Sequence, residues 1–423
     1  MQQSRWLVIV VVVGGVVIGR AVAARADGAS ISQAALLERL ESLEQEVKML
    51  KRQVELNQEQ ASAKTQETAS SAPAWKWSGD IRLREEARNR TGTGQDVHRQ
   101  RIRFRYGFDA KVTDDLKVGA RLATGNTATG SSNAISTNQS LNVAFNHVNI
   151  VLDRAYATWT PTVPGLTECK LTGGIIENPF WTLGQLVWDE DLNFQGGAVR
   201  LAKTLGPVTL FSTNGVFALQ TDVSKAASLW SSQGGVIYKP FAEQEDELRK
   251  NLKITTAVAY HDYKNVTRTQ GKNTALTTAG GTKGNSASLK DVNLLNPAVE
   301  IASQYADVPF SGFGDVVHNT GAAVKNNGFQ VGLKIGKARV PFDLKKGWEG
   351  GWYFERLEND ATLGAFSDSD FGNGGTNHRG NVYWLKLAVL KNTVIGLKYF
   401  NTRQIIGIKN KADTVQMDWV TTF

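Results

Sequence analysis

The 423-residue chain is 41% hydrophobic and 21% charged, with a formal net charge of +8, an excess too small for this length to mark a nucleic-acid binder on its own. Its single cysteine, Cys169, excludes an intrachain disulfide. The five histidines stand singly, so no His/Cys cluster has metal-ligand spacing.

The first element in chain order is a leader. Arg5 precedes an apolar run from Trp6 to Ile18, followed by Ala21-Val22-Ala23-Ala24-Arg25-Ala26. This reads as a secretory signal peptide over residues 1–26, cleaved after Ala26 with Ala23 as the alternative. The run is shorter than the roughly 20 residues of a spanning helix. Export removes nucleic acid from the expected partners.

Residues 30–57 follow a heptad. Leu36, Leu40, Leu43, Val47, Leu50 and Val54 repeat at alternating spacings of four and three, an a/d seam. Arg39 with Glu44, and Glu46 with Lys51, are oppositely charged g-to-e′ pairs that suit a parallel coiled coil. An amphipathic helix lying on the protein's own body is the alternative. Residues 58–74, including the polar run QEQASAKTQETASSAP, read as a flexible linker.

From residue 75 to Phe423 the pattern has period two. Strands are expected near 76–88, 99–112, 115–125, 146–160, 168–178, 192–203, 207–220, 227–240, 251–264, 296–305, 307–320, 328–339, 347–360, 379–391, 393–405 and 414–423. Eighteen strands is the alternative to about sixteen, because the alternation is weakest at 296–305 and 307–320. The joins alternate in length. Long polar segments, Asn126–Phe145, Asn265–Leu295 and Ala361–His378, follow every second strand. The other joins are mostly short, as at Thr113-Asp114, Thr204-Leu205-Gly206 and Lys391-Asn392, with Phe241–Lys250 an exception. Long loops at one end and short turns at the other are the mark of a transmembrane barrel. The expected fold is therefore an all-β transmembrane barrel of antiparallel strands, preceded by a short periplasmic α-helical coiled coil.

The stretch HRQRIRFRYGF, His98 to Phe108, fixes which face is which. Arg99, Arg101, Arg103 and Arg105 share one face; Ile102, Phe104, Tyr106 and Phe108 share the other. An arginine facing hydrocarbon near the midplane costs roughly 2–4 kcal/mol, so the arginines are expected in the lumen. Neighbouring strands add Arg82, Arg84, Lys117 and Arg121, and three strands build one basic wall. These cations either pair with acids to stiffen the barrel or set a field across the pore. Trp75, Trp77, Trp159, Trp230, Trp348, Trp352 and Trp419 fall near strand ends, as interfacial anchors do.

Other motifs carry less. Asp368, Asp370 and Asn373 have the look of a calcium loop, but Arg379 stands where its glutamate belongs, so a polar extracellular loop is expected. Gly372-Asn373-Gly374-Gly375 lacks the strand-to-helix context of a phosphate cradle. There is no Ser/His/Asp arrangement, and neither enzyme activity nor a cofactor is expected.

The final strand alternates Val415, Met417, Trp419 and Thr421 with Thr414, Gln416, Asp418, Val420 and Thr422, and ends on Phe423. It resembles the signal read by the bacterial outer-membrane assembly machinery. With Trp77–Arg84, Leu152–Trp159, Asn178-Pro179-Phe180-Trp181 and Ser367–Gly372, the chain resembles a bacterial outer-membrane porin. More narrowly, it is similar to the "putative porin" family that carries an N-terminal coiled coil. The resemblance implies a diffusion channel in the lipid bilayer of the outer membrane, assembled as a homotrimer with its coil in the periplasm. It also implies a third loop folded into the lumen. Here that loop, Pro179–Asp191, is unusually apolar and ends in Asp189, Glu190 and Asp191, which would face the arginines; an exposed rim loop is the alternative. The expected function is passive passage of small hydrophilic solutes, with anions preferred. A barrel whose coil tethers the membrane to the cell wall, and a solute-specific channel, are the competing readings.

Overall fold

A computed structural model describes residues 33–71 and 74–423, apart from 93–94, 126–133, 143, 146, 221–225, 267–283, 287–288, 290 and 408–409. The expected signal peptide lies outside the described residues. The chain divides into two units, residues 1–72 and 73–423.

The first unit is the helix α1, Gln33–Ser71. Leu40, Leu43, Val47, Leu50 and Val54 along its seam are each more than half exposed in the single chain; the side chain of Leu36 lies outside the described residues. The helix continues through residues 58–71, where the sequence reads as linker. Ala, Gln, Glu and Lys dominate that stretch, and their helix propensity is high although they offer no apolar face.

The second unit holds the strands β1 (Ala74–Arg90), β2 (Val97–Lys111), β3 (Leu116–Thr124), β4 (Gln139–Ser140), β5 (Ile150–Trp159), β6 (Glu168–Glu177), β7 (Asn193–Leu205), β8 (Val208–Gln220) and β9 (Ala227–Tyr238). They continue as β10 (Lys253–Lys264), β11 (Val292–Tyr305), β12 (Val308–Asn319), β13 (Asn327–Gly336), β14 (Trp348–Leu357), β15 (His378–Leu390), β16 (Thr393–Gln404) and β17 (Lys411–Thr422). β4 is a two-residue bridge within the loop from β3 to β5 and pairs with β2. The other sixteen each pair antiparallel with the next, and β1 pairs with β17, closing the barrel. Closure satisfies the backbone polar groups that lipid would leave orphaned. Phe423 completes the seam: its N–H donates to Gly79 O at 3.0 Å and its carbonyl accepts from Gly79 N at 2.8 Å.

The strand count is sixteen, not eighteen. β11 and β12 form one hairpin around Ala306 and Asp307, both at positive φ. β11 starts at Val292, four residues before the expected 296. Val292 and Leu294 are apolar yet point inward, where they are buried, so the usual alternation is reversed there.

Elsewhere the faces alternate cleanly. Ile81, Leu83, Leu385, Leu397 and Met417 are exposed on the outer surface, while Asp80, Arg82, Arg84 and Glu86 are buried on the inner one. The main hydrophobic core also lies inside. Loop 178–192 packs Phe180, Leu186, Val187, Trp188 and Leu192 against Phe194 of β7, Phe217 of β8, Leu229 of β9 and Tyr263 of β10. Loop 358–377 joins the same core through Ala361, Leu363 and Ala365. Within the loop expected to be polar and extracellular, Asp368 and Phe371 are buried, so its composition does not mean solvent exposure.

Candidate functional site in the barrel lumen

Opposite the loop core, inward side chains from twelve strands enclose a cavity of ≈ 810 Å³. Arg82, Arg84, Arg103, Arg105 and Arg121 line it. So do Glu190 and residues 181–185 of loop 178–192, with Lys334, Lys386 and Lys398 from β13, β15 and β16. Nine basic and five acidic side chains line this space. Arg99, Arg101 and Lys117 are not among its lining residues.

Two carboxylates of β1 organise the wall. Asp80 accepts from Arg103 Nε at 3.0 Å and Arg105 Nε at 2.6 Å. Glu86 lies 2.7 Å from Arg99, 3.2 Å from Arg88 and 3.7 Å from Arg101. Five arginines thus share two acids. Arg84 bridges Asp418 at 2.7 Å and Asp370 at 2.9 Å. Among the described residues Arg82 has no ion-pair partner: its Nε and Nη2 both donate to Asn138 Oδ1, at 3.1 and 2.6 Å. Arg121 pairs with Asp153 at 2.5 Å, and Lys117, largely exposed, with Asp109 at 3.3 Å.

The three acids of loop 178–192 part company. Asp191 lies 3.7 Å from Arg105 and accepts from the Thr137 amide at 3.0 Å. Glu190 reaches the cavity. Asp189 turns away from the arginines to the other inward loop, accepting from the Ser369 amide at 2.8 Å, while its own N–H donates to Phe366 O at 2.7 Å. Asp368 Oδ1 accepts from the Asp370 and Phe371 amides. Burial and, after it, the nearby charge of Asp368 push the Asp189 carboxyl well above the usual carboxylate range. Burial also raises Asp368, although Lys398 works the other way. For Asp370, Arg84 and Lys398 together outweigh burial and hold the carboxyl below that range.

Sequence reasoning missed the loop groups that hold the wall. Asn138 and Ser136 reach Arg82 and Arg101 from the β3–β5 loop. Asp370 and Asn373 reach Arg84 and Arg88 from loop 358–377. Nothing in local alternation marks a loop residue as inward. The lysines of β13, β15 and β16 did carry a signal, because Lys334, Lys386 and Lys398 occupy the inward parity of their strands.

A closed barrel with an apolar outer belt and a charged, cavity-bearing interior defines a transmembrane channel of the bacterial outer membrane rather than an enzyme. The chain belongs to the family described as "Putative porin", which matches residues 58–293 and 298–423. Among solved structures it is similar to Pseudomonas putida OprB at high pH, with TM-score 0.53 and 12% identity over 85% of this chain and 96% of that one. It is also similar to Salmonella typhi OmpF in complex with daunomycin, with TM-score 0.49 and 11% identity over 84% of this chain and 99% of that one. At 12% identity the likeness to OprB concerns the fold alone. A comparison with curated protein sequences finds no match.

Proposed function

We propose that this barrel is a passive, water-filled pore for small hydrophilic solutes and ions, with a preference for anions. The observation that carries the reading is the cavity lining, in which nine basic side chains stand among five acidic ones. Arginine remains charged at any working pH. Facing rows of charge in a narrow lumen set which ions enter. Arg82 is central, because among the described residues it forms no direct ion pair. Loop 178–192 serves as the constriction, with Glu190 and Asp191 opposite the arginines; Asp189 acts within the loop pair instead. Residues 1–26 direct export, Phe423 and its strand are read by the assembly machinery, and the α1 seam joins copies into a homotrimer in the periplasm. A tether to the cell wall would use the same exposed seam of α1.

The test is the reversal potential of purified protein in a planar bilayer under a salt gradient. Stepwise conductance with an anion-sided reversal is expected, and Arg82→Gln shifts it toward zero. A cation-sided reversal, or no shift in the variant, overturns the anion reading. Absence of conductance from folded protein overturns the pore.

A further inference from the structure

A second space lies inside the barrel, beside the start of loop 178–192 and toward the end that carries the short turns. It is a pocket of ≈ 190 Å³ on the wall of β3 and β5–β8. At roughly 30 Å³ per water it holds about six waters, which is room for one small solute. Lys117 and Lys170 enter it from the second residue of β3 and the third of β6, with Arg154 of β5 and Arg200 of β7. The far wall is apolar. Ile176 and Ala198 belong to the edge of the inner core, and Pro179 stands at the start of the loop.

Arg154 reaches this space through an irregularity in the ladder. Arg121 pairs with Arg154 and Leu122 with Leu152, so Asp153 is an extra residue between them. Such a bulge re-aims side chains. Here it turns Asp153 and Arg154, successive in the chain, to the same inner face, where Asp153 meets Arg121 at 2.5 Å. Asn193 Oδ1 accepts from Arg154 Nε at 2.7 Å and fixes the guanidinium. The two terminal nitrogens face Glu177, with Nη1 3.2 Å from Oε2 and Nη2 3.4 Å from Oε1. This is the two-pronged grip by which a guanidinium holds a carboxylate.

The acid is the loose partner, since the Glu177 side chain is 73% exposed and that of Arg154 only 14%. Lys117 and Arg200 keep the less exposed Asp109 and Glu168, each at 3.3 Å. Lys170 is exposed and, among the described residues, forms no ion pair. Arg154 and Glu177 line the main cavity as well, so the pair is common to both spaces.

We infer that this pocket is a saturable site for a small monocarboxylate. The solute's carboxylate takes the Arg154 fork in place of Glu177, which is released to water. Its short apolar end rests on Ile176, Pro179 and Ala198. Phosphate fits less well, because the apolar wall offers its remaining oxygens no donor. A neutral alcohol of the same length lacks the charge. The inference rests on the reading of the chain as a pore for small hydrophilic solutes, and it names one solute class and the place where it halts.

Binding of isotope-labelled butyrate to the full-length protein in detergent micelles, followed by saturation-transfer NMR, tests this without depending on conduction. Saturable binding is expected, with butanol and phosphate failing to displace the label at concentrations equal to that of butyrate. Glu177→Gln removes the internal competitor and is expected to tighten binding about two- to fivefold, the worth of an exposed ion pair. Arg154→Gln is expected to weaken it at least about tenfold, the loss of a charge-assisted contact. Absence of saturable binding, displacement by phosphate, or an affinity that Arg154→Gln leaves unchanged overturns the inference. So does weaker or unchanged binding in Glu177→Gln, a change at an exposed side chain that decides the matter even where Arg154→Gln fails to assemble. If butyrate binds as expected and the planar bilayer shows no conductance, the pore reading falls and the site stands.

Discussion

Arg105 Nε donates to Asp80 Oδ2 at 2.6 Å, across directly paired positions of β2 and β1. The same carboxylate takes Arg103 through its other oxygen at 3.0 Å. One acid thus holds two arginines side by side on the lumen wall. Removing the acid and removing an arginine therefore have opposite electrical effects.

Asp80→Asn is expected to strengthen anion preference, since Arg103 and Arg105 lose their shared counter-charge. It also costs stability, because taking one partner from a largely buried pair typically costs about 3–5 kcal/mol. Reversal potential and the temperature at which the barrel unfolds on a semi-native gel check the two effects. A shift toward cations would contradict the assignment of these arginines to the conducting face.

Trp188 is the largest residue that loop 178–192 commits to the inner core. Its ring centroid lies 5.0 Å from that of Phe194 and 5.1 Å from that of His261. Trp188→Ala removes about 3–5 kcal/mol of packing. The expected outcome is larger and noisier single-channel conductance with the barrel still assembled. Unchanged conductance would show that the loop does not limit the passage.

The contact between the two inward loops is expected to depend on pH. Asp189 and Asp368 are both raised by burial, so their neutral forms favour the packed state. That contribution is complete in acid, below the ordinary carboxylate range, and is lost as pH rises through the elevated values. Hydrogen exchange at the Ser369 amide, corrected for intrinsic rate, should be slower at about pH 5 than at about pH 8. Asp368→Asn should flatten the difference; a steeper dependence in that variant would refute the account.

Deleting Phe423 removes the pair of backbone bonds with Gly79 and a ring stacked 6.3 Å from Tyr106. The expected result is a strong loss of assembled barrel in cells. The barrel that does form should unfold close to the parental temperature, since each hydrogen bond contributes only about 1 kcal/mol net. Equal loss in both measurements would make Phe423 a structural residue only.

The barrel was legible because lipid outside and water inside impose a two-residue period that few other settings share. Strands such as β1 and β2 announce their inward face through Asp80, Arg82, Arg101 and Arg103. The reading blurred at β11, where Val292 and Leu294 turn apolar side chains inward to meet the loop core. It also failed at loop 358–377, whose Ser, Asp and Gly composition suggests solvent while Leu363 and Phe371 are buried. Alternation reports a strand's two surroundings. It carries no information on where a loop folds, which is settled by contacts between segments far apart in the chain. The split between Asp189 and its neighbours Glu190 and Asp191 is of that kind.

The inner core fills the side of the barrel formed by β7–β10, and none of those four strands contributes to the cavity. The passage is therefore off-centre, and the circumference divides into two zones with different tolerance to change. On the filled arc, substitutions are constrained by volume, and apolar exchanges that conserve it leave the electrical character untouched. On the open arc, from β11 through β17 to β6, charge changes alter what passes, and at buried pairs such as Asp80 with Arg103 and Arg105 they also cost stability. A lineage could thus retune which molecules cross the envelope most freely through half-exposed cations such as Lys334 and Lys386, which are not part of the buried wall.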